Sequence, residues 1–173
     1  TALDAFGGLD LIVNNAAAAT MRLPSEITTR ERSGMFDINV NAPIDLAQQA
    51  LPGMRERGYG WILNISSSSA LQPVVPYRDS QAAAHVICAY GATKAALDRY
   101  TQGLAHEVAS AGIYVNTLAP ENIVLTSGAE YVRDVGVDGT AVRDDGDRFA
   151  AMLLDEAVDH LGDAAPEGEV PLG

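Results

Sequence analysis

A doubly wound α/β fold, a parallel sheet layered with helices, is predicted by three observations. Leu9–Val13, Trp61–Ile65 and Ile113–Leu118 are apolar runs of five or six residues, the length and character of buried strands. Between them lie long segments of helical period, about Thr29 to Arg57 and about Val86 to Ala111. A helix of that length between two strands makes a crossover that returns the second strand parallel to the first. In such a sheet ligands bind outside the carboxyl ends of the strands. Here those ends are Asn14-Asn15-Ala16, Ser66-Ser67 and Pro120 onward.

Taken in order, Thr1 to Phe6 reads as the last turns of a helix, and Gly7-Gly8 stops it ahead of the first strand. A domain rarely opens on a helix tail feeding an apolar strand, so further chain is expected before it. Asn14-Asn15-Ala16-Ala17 forms the turn after that strand, with small residues where backbone or ligand can approach closely. Ser25 or Thr28 caps the next helix, which runs to Arg57, in one piece or two. Met35, Ile38, Ala42, Leu46 and Leu51 give it an apolar stripe at helical spacing. Gly58-Tyr59-Gly60 ends it, and the second strand runs into Ser66-Ser67-Ser68-Ser69. Residues 71–89 hold Pro73 and Pro76 and form a loop leading into the last long helix, whose buried stripe is Leu97, Tyr100, Leu104 and Val108. Gly112 stops that helix before the third strand.

The motif-bearing part of this single domain is 1–126. Residues 127–148, rich in Gly and Asp, form a substrate lid or an irregular excursion, and 149–173 hold an amphipathic helix, Phe149 to Leu161, and a tail. The 173 residues are 47% hydrophobic and carry a net charge of −12, which argues against nucleic acid or an anionic membrane as partner. Cys88 is the single cysteine, so no internal disulfide forms and a reducing, cytoplasmic compartment fits. Neither Cys88 nor His85, His106 and His160 falls into a zinc pattern, and no metal site is expected. No apolar run is long enough to span a bilayer.

The chemistry centres on Tyr90-Gly91-Ala92-Thr93-Lys94. Of eleven lysines and arginines, Lys94 alone is lysine. Four residues apart on a helix, the phenol and the ammonium share one face. Two unit charges about 4 Å apart interact by roughly 4 kcal/mol at an effective dielectric of about 20. Such an ammonium lowers a phenol's pKa toward the range of acid–base work near neutrality. Tyr77, the competing phenol nearer the serines, has Gln81 rather than a lysine four residues on.

These stretches together resemble the short-chain dehydrogenase/reductase family, most closely from residue 1 to about Thr126 and more faintly to Leu161. The residues that carry the resemblance are Asn14-Asn15-Ala16-Ala17, Asp37-Ile38-Asn39, Asn64-Ile65-Ser66-Ser67, Tyr90 with Lys94, and Tyr114-Val115-Asn116 leading to Pro120-Glu121, in the family's order. The resemblance implies a Rossmann-like sheet and hydride transfer between NAD or NADP and an alcohol or ketone. In that scheme Tyr90 is the acid or base, and Lys94 tunes it and holds the nicotinamide ribose. Ser67 orients the substrate oxygen, while Asn39 holds a water linking Lys94 to solvent. Asn15, Ala16 and Ala17 line the adenosine side. Pro120, Ile123 and Thr126 lie toward the carboxamide, beside Tyr90 and Lys94. A homo-oligomer, dimer or tetramer, is implied for the complete protein.

Several features depart from the family pattern. The Gly-rich turn that cradles the pyrophosphate, with the βαβ half that contains it, does not occur in these residues, which therefore read as the middle and back of a longer protein. Ser67 and Tyr90 stand 23 residues apart, about ten more than is usual in the family, and Leu71, Val74 and Val75 make the enlarged loop apolar. That suits a bulky or hydrophobic substrate. Glu121 replaces the glycine expected after Pro120. Two other readings stand beside the enzyme: a non-catalytic oligomerisation or interaction module, and a sugar-nucleotide epimerase or dehydratase of the extended subgroup. The Asn14–Ala17 turn and the Asn64–Ser67 strand end fit the short-chain type better.

Overall fold

The computed structural model describes residues 2–71, 85 and 87–120. The Gly- and Asp-rich stretch, the Phe149–Leu161 helix and most of the loop over 71–89 lie outside the described residues. Helix α1 (Ala2–Phe6) leads to β1 (Leu11–Asn14), and α2 (Thr29–Phe36) passes through a π-helical turn (Asp37–Asn41) into α3 (Ala42–Arg57). Strand β2 (Gly60–Ile65) is followed by a 3-10 turn (Ser68–Ala70). Helix α4 (Cys88–Val108) closes with a 3-10 turn (Ala109–Ala111) and gives way to β3 (Ile113–Leu118).

The three strands are parallel in the order β1-β2-β3, with Leu11 beside Trp61 beside Tyr114, and Asn14 beside Asn64 beside Thr117. Each crossover carries its helix to the same face. Ala47, Ala50, Leu51 and Met54 of α3 and Leu104 and Val108 of α4 pack on Ile12, Ile62, Ile113 and Val115. Because strand side chains alternate, Leu11, Val13, Trp61 and Tyr114 point the other way. That face is open among the described residues. The expectation of a buried first strand is corrected accordingly: Leu11 is 55% exposed, since β1 is both an outer strand and uncovered on one face. Tyr59, Trp61 and Tyr114 form an aromatic row on the open side, with ring centroids 5.9 and 6.3 Å apart.

Thr28, rather than Ser25, caps α2. Its hydroxyl accepts from Glu31 N–H, and the Glu31 carboxylate accepts from Thr28 N–H, a reciprocal capping box that satisfies two orphan donors. The helix that follows corrects the apolar stripe. Pro43 has no N–H for the carbonyl of Asn39 four residues back, and its ring would crowd that carbonyl in a regular α-helix. The backbone widens there into the π-turn, in which Ala42 N–H bonds the Asp37 carbonyl five residues back. One extra residue turns the phase by about 100°. The inward face therefore shifts from Ala42 and Leu46 to Pro43, Ala47, Ala50 and Met54, and Leu46 is left 47% exposed.

Both long helices end on a left-handed glycine, Gly58 at φ +76° and Gly112 at φ +72°. The two ends meet closely: a Cβ on Gly112 would lie 2.2 Å from the Gly58 carbonyl oxygen. Arg57 fastens the base of the sheet by donating to the Leu9 carbonyl and pairing with Asp10, while lying over the Tyr59 ring. No helix among the described residues is long and apolar enough to cross a membrane.

Candidate active site

Register brings the chemistry to one edge. Because the strands are parallel, Asn14, Ile65 and Leu118 end together, and the segments leaving them face a common space. Ser66 continues the alternation of β2 toward the helix-covered side and is buried, whereas Ser67 is only half-buried and turns out at the strand end. Ser67 also caps the 3-10 turn: its Oγ accepts from Ser69 N–H at 3.2 Å and from the Ser69 hydroxyl at 2.9 Å. A hydroxyl has two lone pairs and one proton. With both lone pairs engaged by Ser69, the Ser67 proton is left to face the Tyr90 phenol, whose ionised form it favours. Capping the turn and meeting Tyr90 are thus one arrangement of the same serine.

Tyr90 stands in the first turn of α4, and Gly91 lets that turn come close. A Cβ on Gly91 would lie 2.6 Å from the Ser69 carbonyl oxygen, so any side chain there would push the helix from the serine turn. Lys94, one turn on, is only 2% exposed and donates to the Ile65 carbonyl at 2.7 Å. Its ammonium lies over the Tyr90 ring, 5.7 Å from the centroid. Two of its three N–H groups are left for other partners.

Burial governs both groups. Desolvation pushes the Tyr90 phenol above its ordinary value, and the neighbouring Ser67 hydroxyl offsets this in part. Desolvation lowers Lys94 to about 8, with the Asp98 carboxylate a further turn along pulling the other way. The expectation that the ammonium depresses the phenol is corrected for this state of the site. The ammonium is aimed at a backbone carbonyl and the ring face, and burial is the largest influence on both groups.

Asn39 lies in the π-turn and is fully buried. Its Oδ1 accepts from Ala18 N–H at 2.7 Å, and its Nδ2 donates to the Ala18 carbonyl at 2.7 Å and to Thr93 Oγ1 at 2.9 Å. Thr93, fully buried between Tyr90 and Lys94, donates to the Tyr90 carbonyl at 2.7 Å. Both amide protons of Asn39 are therefore spent on protein. Deeper in the core, Asn14 Nδ2 donates to Asn64 Oδ1 at 2.7 Å, and Asn64 Nδ2 donates to Thr101 Oγ1 at 2.8 Å. Asn14 ties neighbouring strands.

Asn39, Ser67, Tyr90 and Lys94 thus sit around one strand edge, as their order in the chain suggests. Asn15 and Ala16 are exposed and Ala17 half-buried just beyond β1, and Pro120 is half-buried beyond β3. Ile123 and Thr126 fall outside the described residues. Sequence reasoning missed Ser69, Gly91 and Thr93. For Thr93 no local signal exists, because its partner lies 54 residues away. The π-turn did leave one, in Pro43 placed four residues after Asn39. No group of three or more His, Cys, Asp or Glu suited to a metal occurs among the described residues.

This is a parallel α/β sheet with a tyrosine, a lysine and a serine at its carboxyl edge. Residues 1–135 match the short chain dehydrogenase family, and the chain belongs to it. It is 32% identical over 126 residues to an uncharacterised oxidoreductase of Staphylococcus aureus, covering 73% of this chain and 50% of that protein. A Staphylococcus epidermidis oxidoreductase is 28% identical over 131 residues, covering 75% and 53%. Among solved structures, ElxO with NADP bound superposes with a TM-score of 0.65 at 32% identity, over 78% of this chain and 50% of that one. A gluconate 5-dehydrogenase from Burkholderia cenocepacia in complex with NADP and tartrate gives 0.64 at 27% identity, over 82% and 50%. The chain spans about half the length of the curated relatives it matches.

Proposed function

We propose that this chain serves an NAD(P)-dependent oxidoreductase acting on an alcohol or ketone, with Tyr90 as the group that exchanges a proton with the substrate oxygen. The observation that carries the reading is the convergence of the Tyr90 phenol, the Ser67 hydroxyl and the Lys94 ammonium at one strand edge. The NADP-bound relatives support the cofactor class.

The residues fit a nicotinamide nucleotide. Lys94 keeps two N–H donors for ribose hydroxyls, and the short side chains of Asn15, Ala16 and Ala17 leave room beside β1. When bound, the nicotinamide supplies or accepts the hydride at the substrate carbon. In the reducing direction Tyr90 gives its proton to the carbonyl oxygen as the hydride arrives at carbon; in the oxidising direction it takes the hydroxyl proton. Ser67 donates to the same oxygen and orients it. Because both side-chain protons of Asn39 are engaged, the water that returns the proton through Lys94 is held by the Asn39 main-chain carbonyl, which Pro43 deprives of its helical donor. Pro120, with Ile123 and Thr126, is assigned to the carboxamide.

A homo-oligomer built on the outer faces of α3 and α4 accords with the groove there, lined by Gln48, Ala96, Arg99, Tyr100, Gly103 and Glu107. A cytoplasmic location accords with the lone, unpaired Cys88. The test is substrate-dependent oxidation of NADH or NADPH by the full protein, followed by absorbance across aliphatic and aromatic ketones. Turnover of at least one ketone is expected. No turnover with either cofactor and any ketone, or their alcohols in reverse, would contradict the reading.

A further inference from the structure

We infer that Thr93 is a positioning residue: its hydroxyl hangs the first turn of α4, and with it Tyr90, from the π-turn asparagine. The inference rests on the role proposed for Tyr90, but its geometry stands apart from that role.

Thr93 Oγ1 accepts from Asn39 Nδ2 at 2.9 Å and donates to the Tyr90 carbonyl at 2.7 Å. Asn39 is itself gripped through two hydrogen bonds to Ala18, in the segment that follows β1. A continuous chain therefore runs from the cofactor side of the sheet through Asn39 and Thr93 to the backbone of Tyr90. Asn39 and Thr93 are both 0% exposed, so water cannot replace either bond without a rearrangement. Removing the hydroxyl leaves an amide N–H of Asn39 buried without a partner. It also releases the Tyr90 carbonyl from its side-chain donor, at the start of a helix whose N-cap residue, Ile87, makes no side-chain cap. The helix turn is then free to shift against the Ser67–Ser69 turn, which Gly91 allows to lie close. Thr101 repeats the construction two turns further along α4, accepting from Asn64 and donating to the Leu97 carbonyl, and provides an internal control away from the site. The polar groups facing the Tyr90 phenol are Ser67 from the 3-10 turn and Lys94 from its own helix, with Asp98 a turn beyond.

The experiment compares Thr93→Val, Thr93→Ser and Thr101→Val in the full protein. The phenol titration is read by carbon NMR of ring-labelled tyrosine, with the Tyr90 signal assigned by Tyr90→Phe. Thr93→Val is expected to raise the Tyr90 titration by about half a unit or more as alignment with Ser67 is lost. It should lower kcat about tenfold or more while KM stays within about threefold, because misplacement of a reacting group acts on the chemical step. Thr93→Ser should restore both values, and Thr101→Val should move neither. Thr93→Ala replaces the valine variant should the latter not fold. A Tyr90 titration in Thr93→Val equal to that of the parent overturns the inference, as does an equal shift in Thr101→Val. The titration needs no turnover, so an absence of hydride transfer would sink the proposed function and leave this test standing.

Discussion

Two hydrogen-bond chains cross the core of this molecule, built from the same parts. In each, an asparagine amide donates to a threonine of α4, and the threonine hydroxyl donates to a carbonyl of the same helix: Asn64 to Thr101 to Leu97, and Asn39 to Thr93 to Tyr90. The first begins on Asn14 and Asn64, neighbours in strand register, and ends in the middle of α4, where the helix is held by its own ladder and by packing. The second begins on a segment without regular structure, passes through a π-turn, and ends in the helix's first turn, beside the phenol and serine. One bond pattern thus serves rigidity in one place and aim in the other. What differs is the stiffness of the elements that it joins.

Lys94 lies between the two chains, and its removal should have the largest effect. Its pKa falls from 10.5 to about 8 in the folded protein. Between those pH values the unfolded chain holds a proton that the folded one has released, so stability should rise as pH goes from about 8 to about 10.5, by roughly 3 kcal/mol at most. Lys94→Met should flatten that window in denaturant melts and lower kcat by about a hundredfold or more. A parent whose stability falls over the same window would contradict the burial argument.

Gly91→Ala sharpens the comparison at the aiming end alone. The added methyl meets a backbone oxygen, and the helix must retreat from the serine turn. A loss of about 1–3 kcal/mol is expected in thermal melts, with a matching fall in kcat. Thr101→Val addresses the rigid chain. Leaving Asn64 with a buried unpaired N–H should cost about 1–3 kcal/mol of stability, with kcat within about twofold of the parent. If Thr101→Val slowed turnover as strongly as Gly91→Ala, the division between rigidity and aim would break down.

The sequence makes the sheet, and Ser67 at its carboxyl edge, legible for one physical reason, whereas Asn39, Tyr90 and Lys94 as a set are legible through the family resemblance. Short apolar runs joined by long helices must be parallel, and parallel strands end on one side. The turn glycines Gly58 and Gly112 and the Thr28 cap are legible because each acts within a few residues. The inward phase of α3 was misread at Ala42 and Leu46 because regular helical spacing was carried through Pro43. The face bearing Leu11, Trp61 and Tyr114, open among the described residues, was not legible because an apolar strand has the same composition whether one face is covered or two. Thr93 and Thr101 were invisible because their partners are 54 and 37 residues away, and nothing in either neighbourhood distinguishes them from ordinary helix threonines.

The central claim is that the phenol of Tyr90 carries the proton. Its most direct test is Tyr90→Phe in the full protein, with ketone-dependent NAD(P)H oxidation and cofactor binding measured side by side. Turnover should fall by about 10²–10⁴-fold with cofactor affinity nearly unchanged, since the ring stays and only the hydroxyl goes. A variant that still turns over within a few-fold of the parent would contradict the assignment of Tyr90.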